Sequence, residues 1–227
     1  KMMDTILFDL DNTLLDFDLA ERIAIKKTLL HLKLEPTEKT LRRYSELNLA
    51  QWKLLEQGKL TRSAVKTRRF RILFEEFGIE RSVSEAAQTY ESLLGAGHYF
   101  MDGAEELLHA LAGKYRLYLV TNGTARVQKS RMQSAGLHPY FEDVFISEEI
   151  GFDKPSREYF EHCFAKIPNF CKQSAAIVGD SLTSDIQGGK NAGIATIWYN
   201  PGRIPNSSSI LPDYEIHHLR EVEMLLS

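Results

Sequence analysis

Ile6-Leu7-Phe8-Asp9-Leu10-Asp11-Asn12-Thr13-Leu14 opens on an apolar run that stops at two aspartates two positions apart. A short apolar run with so sharp a polar end reads as a buried strand. In an open α/β sheet, ligands bind beyond the carboxyl ends of the strands, which is where these side chains emerge. Two carboxylates buried together without a partner cost too much to be kept, and a divalent cation between them makes them tolerable. An Asp-x-Asp pair serves equally well as a polar strand end that caps the next turn. The choice depends on the rest of the chain.

From Phe17 to about Gly97 the pattern is helical throughout. Leu19, Ile23, Leu29, Leu30 and Leu32 outline a first helix that closes before Pro36. A second opens at Thr37–Thr40, with Leu41, Tyr44, Trp52 and Leu55 on its apolar face and Asn48 inside that face; Gly58 ends it. Thr61 N-caps a third, which runs to Gly78, and Ser84–Leu94 forms a fourth. Eighty residues without a strand pattern cannot belong to a regular βαβ alternation, so they read as an insertion. Beyond Asp102 the alternation is regular, with strands at Leu117–Val120, Val144–Ile146, Ala175–Val178 and Thr196–Tyr199 and an edge strand at Tyr214–Ile216. Helices lie between them, including one from Ser156 to Phe164. That order predicts a mostly parallel sheet with helices on both faces.

The chain has 227 residues, 43% of them hydrophobic and 26% charged, which fits a globular protein of one large domain or a core with a smaller companion. No apolar run reaches the length of a membrane span, and no secretory signal opens the sequence. Lys1, ahead of Met2 and Met3, reads as an expression remnant. Cys163 and Cys171 are too few for a disulfide scaffold and read as thiols in a reducing compartment, so a cytoplasmic location is expected. The net charge of −3 is unevenly spread: Phe17–His98 holds 15 basic against 11 acidic residues, and the remainder 13 against 20. An acidic part under a basic part suits a metal site beneath a lid that attracts an anion, and equally two solvated surfaces that differ by chance. The basic residues are scattered, so no nucleic-acid polymer is expected as a partner.

Three further segments carry polar residues, two of them at strand ends and one ahead of a helix. Leu119-Val120-Thr121-Asn122-Gly123 ends in a hydroxyl, and Asn-Gly permits a tight turn that aims N–H groups at an anion. In Gly151-Phe152-Asp153-Lys154-Pro155, Pro155 suits the first position of a helix, and Lys154 just ahead of it supplies positive charge. Val178-Gly179-Asp180-Ser181-Leu182-Thr183-Ser184-Asp185-Ile186 delivers Asp180 to a strand end and Asp185 to the first turn of the next helix, where an acid is favourable in any case. Asp180 with Asp9 and the Asp11 region gives hard oxygen donors from separate strand ends. Mg²⁺ is held by a few such carboxylates, with water and substrate phosphate completing its shell.

Asp9-Leu10-Asp11-Asn12-Thr13 resembles the first motif of the haloacid dehalogenase superfamily, whose phosphatases carry Asp-x-Asp-x-Thr after the first strand. The Thr121, Lys154 and Asp180 segments match its other three motifs in order, and the helical insertion matches the superfamily's type 1 cap. The resemblance implies a Rossmann-like core, residues 1–16 and 99–227, and an all-helical cap, residues 17–98. It also implies Mg²⁺ held by a carboxylate oxygen of Asp9, the backbone carbonyl of Asp11 and a carboxylate of Asp180. Asp185 would assist through water or from just outside those ligands and would pair with Lys154. Leu14–Phe17, Trp52 with Gly58–Thr61, Arg69-Phe70 and Ile146–Gly151 are similar to the bacterial pyrimidine 5′-nucleotidases that act on noncanonical nucleotides.

By this resemblance, Asp9 attacks phosphorus to form an aspartyl-phosphate, and Asp11 protonates the leaving group and then deprotonates water. Thr121, Lys154 and backbone amides near Leu10-Asp11 and Asn122-Gly123 hold the phosphoryl oxygens. Asn48, an aromatic such as Trp52 and a cation such as Arg69 would form a slot for a planar base, with a core helix carrying one bonded Asn as the plainer reading. The expected partner is a small phosphate monoester, a nucleotide, bound by a monomer or weak homodimer. Three other readings stay open. A sugar-phosphate phosphatase or phosphomutase shares every motif. A haloacid dehalogenase branch lacks the second acid of the first motif, which this chain retains as Asp11. A non-catalytic regulatory protein would show a lost nucleophile or ligand, and none is lost here.

Overall fold

β1 (Thr5–Phe8) is buried along its whole length, and four helices separate it from the next strand: α1 (Phe17–His31), α2 (Glu38–Glu56), α3 (Arg62–Phe77) and α4 (Val83–Ala96). Strand and helix then alternate through α5 (Ala104–Leu111), β2 (Arg116–Thr121), α6 (Ala125–Ser134) and β3 (Asp143–Ile146). A single turn α7 (Ser147–Ile150), α8 (Arg157–Lys166) and β4 (Ala175–Gly179) follow. A π-helical turn at Leu182–Ile186 runs into α9 (Gln187–Ala192), and β5 (Ala195–Tyr199), β6 (Tyr214–Ile216) and α10 (Glu221–Leu226) complete the fold. This computed structural model describes residues 3–226, so the reading of Lys1 lies outside the described residues, as do Met2 and Ser227 at the outer limits of the expected core.

The six strands form one sheet in the order β3-β2-β1-β4-β5-β6, every neighbouring pair parallel. It is the parallel α/β sheet that the alternation predicts, Rossmann-like as the resemblance implies. The strand order turns back at β1, which lies between β2 and β4; that switch point opens a crevice at the carboxyl ends of these strands. Period-two alternation divides the strands between two cores. Ile6, Phe8, Leu119 and Val178 pack on one face with Leu107, Leu111 and Val222, while Leu7, Val120 and Ile177 pack on the other with Tyr159 and Phe160.

The helices of the insertion share a separate core around Leu29, Tyr44, Phe70, Leu73, Phe74 and Tyr90. Side-chain oxygens of Asp16, Thr37, Thr61 and Ser82 accept the N–H of Leu19, Thr40, Ala64 and Glu85, so each helix start is specified locally. Two helix faces differ from the sequence expectation. On α1, Leu19 and Leu30 are exposed, while Ala20, Ala24, Ile25, Thr28 and Leu29 point inward. On α2 the buried stripe is Leu41, Tyr44, Leu47, Asn48 and Gln51, with Trp52 and Leu55 half-buried beside it. A stripe traced through apolar residues alone is displaced wherever polar residues are buried. Pro155 also differs: it lies outside α8, because the Ser156 side chain accepts the N–H of Tyr159 and makes Ser156 the N-cap.

The chain enters and leaves the insertion side by side. The N–H of Asp16 donates to the Tyr99 carbonyl at 2.7 Å, the N–H of Met101 to the Leu14 carbonyl at 2.9 Å, and Leu15 bridges Phe100 in antiparallel fashion. Among the described residues, no helix is long and apolar enough to cross a membrane.

Candidate active site

Asp9 is the first residue past β1, and its N–H donates to the Val178 carbonyl of β4 at 2.9 Å, so its side chain emerges at the switch point. Lys154 reaches the same place, 1% exposed, with all three ammonium N–H groups engaged. They donate to Asp9 Oδ1 at 2.7 Å, Asp185 Oδ1 at 2.7 Å and the Val120 carbonyl at 2.8 Å. Burial works against the charge on Lys154, but Asp185 and Asp9 outweigh it and hold the ammonium above its ordinary range. Thr13 ties two strand ends together, its hydroxyl donating to Asp9 Oδ2 at 3.2 Å and accepting the N–H of Asp180 at 3.1 Å.

One oxygen from each of Asp9, Asp180 and Asp185 lies within 4.8 Å of the others. Three carboxylates against the single ammonium leave an excess of negative charge in a buried place. Burial, with Asp185 alongside, pushes Asp9 up to about 7, and burial with Asp9 alongside holds Asp180 well above the usual carboxylate range. A divalent cation would cancel that excess, and an all-oxygen donor set fits a hard ion such as Mg²⁺. Gly179 makes the cluster possible: a Cβ there would lie 2.3 Å from Asp185 Cγ. Asp185 therefore tucks beneath bare backbone, with the Ser181 N–H donating to its Oδ2 at 3.1 Å.

Asp11 turns away from this cluster. Its carboxylate accepts from Gln128 Nε2 at 2.9 Å and from Arg131, a fully buried guanidinium. Gln128 also donates to the Thr121 hydroxyl at 2.8 Å. Thr121 is fully buried and stands behind the cavity wall. Asn122 braces Lys154, accepting its N–H at 2.8 Å and donating to its carbonyl at 2.9 Å. The Gly123 N–H donates to Ser147 Oγ at 3.1 Å, so the second turn does not aim it at an anion, contrary to the sequence expectation. Ser147 takes that amide because α7, absent from the sequence reading, brings its hydroxyl against the turn.

Family comparison agrees with this arrangement. The profile described as haloacid dehalogenase-like hydrolase matches residues 6–199.

The chain belongs to the haloacid dehalogenase-like hydrolase family.

Among its relatives, HAD-hydrolase YfnB of Bacillus subtilis is 40% identical over the whole chain and 97% of its own length. The crystal structure of that protein bound to magnesium, described as revealing interdomain movement, superposes with a TM-score of 0.95 over 100% of both chains. Pyrimidine 5′-nucleotidase PynA of Streptococcus pneumoniae is 40% identical over 96% of this chain and 92% of its own. Pyrimidine 5′-nucleotidase YjjG of Escherichia coli is 31% identical over 98% and 97%.

In this hydrolase a cavity of about 430 Å³ extends from Asp9 and Lys154 into the helical insertion, where Asn48, Trp52 and Arg69 all line it. Their immediate contacts differ. Asn48 Oδ1 accepts from Arg69 Nη1 at 2.7 Å, and the Arg69 guanidinium lies 4.7 Å from the Tyr90 ring centre. Trp52 instead packs against Arg62, 5.7 Å from its ring centre, because the half-buried edge of α2 faces the start of α3. Arg62 continues into the core, donating to the Gly123 carbonyl at 2.9 Å, Ser147 Oγ at 2.8 Å and Asp153 Oδ1 at 2.5 Å. Sequence reasoning missed Thr13 as a bridge, and it missed Gln128, Arg131 and Arg62 altogether. The spacing of Gln128 and Arg131 puts them on one face of α6, but nothing in the sequence says that Asp11 faces them.

Proposed function

We propose that this hydrolase cleaves phosphate monoesters through an aspartyl-phosphate on Asp9 and prefers pyrimidine nucleoside 5′-monophosphates. The carrying observation is the Lys154 ammonium bound between Asp9 and Asp185, with Asp180 alongside, at the floor of a cavity that continues into the cap. An Asp9 oxygen attacks phosphorus in line, and the bond from phosphorus to the leaving oxygen breaks. Asp11 gives that oxygen a proton, then takes one from the water that attacks phosphorus and frees Asp9. Lys154 favours the ionised form of Asp9 against its burial and offsets the repulsion between its carboxylate and the incoming phosphate. Asp9 and Asp180, with the Asp11 carbonyl and assistance from Asp185, would hold Mg²⁺, which supplies positive charge to the phosphoryl oxygens when bound. The substrate preference draws support from the pyrimidine 5′-nucleotidases PynA and YjjG, to which nearly the whole chain is similar.

The test is a comparison of kcat/KM for dUMP, dTMP, dAMP, dGMP and simple sugar phosphates, with Mg²⁺ and with excess chelator. Pyrimidine nucleotides are expected to lead, and chelator to abolish turnover. Purine nucleotides or sugar phosphates turned over equally well would remove the pyrimidine preference. Full activity in chelator would count against the metal.

A further inference from the structure

The cap half of the cavity contains a buried carboxylate and a buried guanidinium that do not touch. Glu21 on α1 is 4% exposed and Arg69 on α3 is 3% exposed, and both line the cavity. Asn48 of α2 stands between them: its Nδ2 donates to Glu21 Oε2 and its Oδ1 accepts from Arg69 Nη1. Tyr44, Phe70 and Tyr90 surround the guanidinium, with ring centres 5.9, 5.7 and 4.7 Å from it.

A device built only to fasten three helices would pair Glu21 with Arg69 directly, because two desolvated charges gain most in contact. No such ion pair is present among the described residues, and the spacer leaves hydrogen-bonding capacity on both ends. A carboxylate offers about four acceptor positions and a guanidinium five N–H donors. The Asn48 amide and the Ser45 hydroxyl occupy two acceptor positions of Glu21, while Arg69 uses Nη1 on Asn48 and Nε on the Lys66 carbonyl at 3.3 Å. Burial raises Glu21 above the ordinary glutamate range, against hydrogen bonds from Ser45 and Asn48, so an incoming N–H would relieve a poorly solvated group. The wall thus presents an acceptor beside a donor, facing the space above the candidate phosphate site.

We infer that Glu21 and Arg69, spaced by Asn48, read the edge of the base, with Glu21 accepting a ring N–H and Arg69 donating to the adjacent carbonyl. Uracil and thymine carry that pairing at N3–H and its flanking oxygens. Cytosine places an unprotonated nitrogen there, and guanine, which shares the edge, is left to be separated by size. This inference rests on the nucleotidase reading and adds to it both a residue and a chemical edge.

The decisive measurement is kcat/KM for dUMP, dCMP, 3-methyl-dUMP, dAMP and p-nitrophenyl phosphate, in the wild-type enzyme and in Glu21→Gln with Mg²⁺ present. Methylation of N3 is expected to cost the wild type about 10- to 100-fold relative to dUMP, the size of one hydrogen bond to a charged group. Glu21→Gln is expected to lower dUMP turnover by a similar factor beyond any change on p-nitrophenyl phosphate, and to shrink the methylation penalty. Equal wild-type rates on dUMP and 3-methyl-dUMP overturn the inference without needing any variant to fold. An equal loss on every substrate in Glu21→Gln also overturns it, since that is what a helix fastener would give. A wild-type enzyme that turns over p-nitrophenyl phosphate but none of the nucleotides defeats the nucleotidase reading instead, whereas one that takes dAMP as readily as dUMP overturns the inference by removing the pyrimidine preference.

Discussion

Asp11 and Arg131 form an ion pair in which the arginine is wholly buried and the aspartate remains in reach of the cavity. Two Arg131 nitrogens, Nε and Nη2, have no hydrogen-bond partner, so the guanidinium is kept at a cost that packing alone does not explain. If it steers Asp11, Arg131→Met will lower turnover of alkyl phosphates by about 10- to 100-fold. Aryl phosphates, whose leaving groups need little protonation, should lose much less. A uniform loss across leaving groups would mean that Arg131 only supports the fold.

Asp9→Asn should abolish turnover, because an amide cannot form the acyl-phosphate. It should also stabilise the metal-free protein. Asp9 is raised to about 7 in the fold against 3.8 outside it, so the cost to folding builds as pH rises from 3.8 and is complete above about 7. The melting temperature of metal-free Asp9→Asn is expected to exceed that of wild type at pH 8, with the gap closing toward pH 5. A lower melting temperature at pH 8 would show that the lost bond to Lys154 dominates.

Protons and Mg²⁺ compete for the same oxygens. Below about pH 7 Asp9 takes up a proton, and a cation must displace it. The rise in melting temperature on adding Mg²⁺ should therefore be larger at pH 8 than at pH 6, and the apparent Kd smaller. Equal shifts at the two pH values would place the metal elsewhere.

Gly179→Ala inserts a Cβ where Asp185 already lies, 2.3 Å from its Cγ. Overpacking of this kind costs about 1–3 kcal/mol. Asp185 must move, which loosens its hold on Lys154, so Mg²⁺ affinity and turnover should fall together. Denaturant unfolding and a Mg²⁺ titration read the two effects separately. An unchanged affinity would show that Asp185 contributes nothing to the metal.

The strand ends were legible because each is an apolar run with an abrupt polar stop, and alternation with helices implies a parallel sheet. Ile6–Phe8, Leu117–Val120 and Ala175–Val178 all lie in strands, with Asp9, Thr121 and Asp180 at or just past their ends. Lys154 could be placed by motif order alone. What escaped the sequence is polar and buried: Glu21, Gln51, Gln128 and Arg131 leave no mark on hydrophobic periodicity. Their environment is set by neighbours far away in the chain, as when Gln128 meets Asp11. Trp52 packs against Arg62, a contact between the end of one helix and the start of the next that no periodicity announces.

The paired segments at Leu14–Asp16 and Tyr99–Met101 mean that the insertion begins and ends at nearly the same point in space. To the sheet, everything between them is a closed loop whose length matters little, since closure entropy grows only slowly with size. The insertion can thus be lengthened, trimmed or exchanged for an unrelated module while Asp9, Lys154 and Asp180 keep their places. On the function proposed above, selectivity and chemistry sit on separately heritable parts of one chain, and a new substrate can be acquired without rebuilding the machinery beneath it.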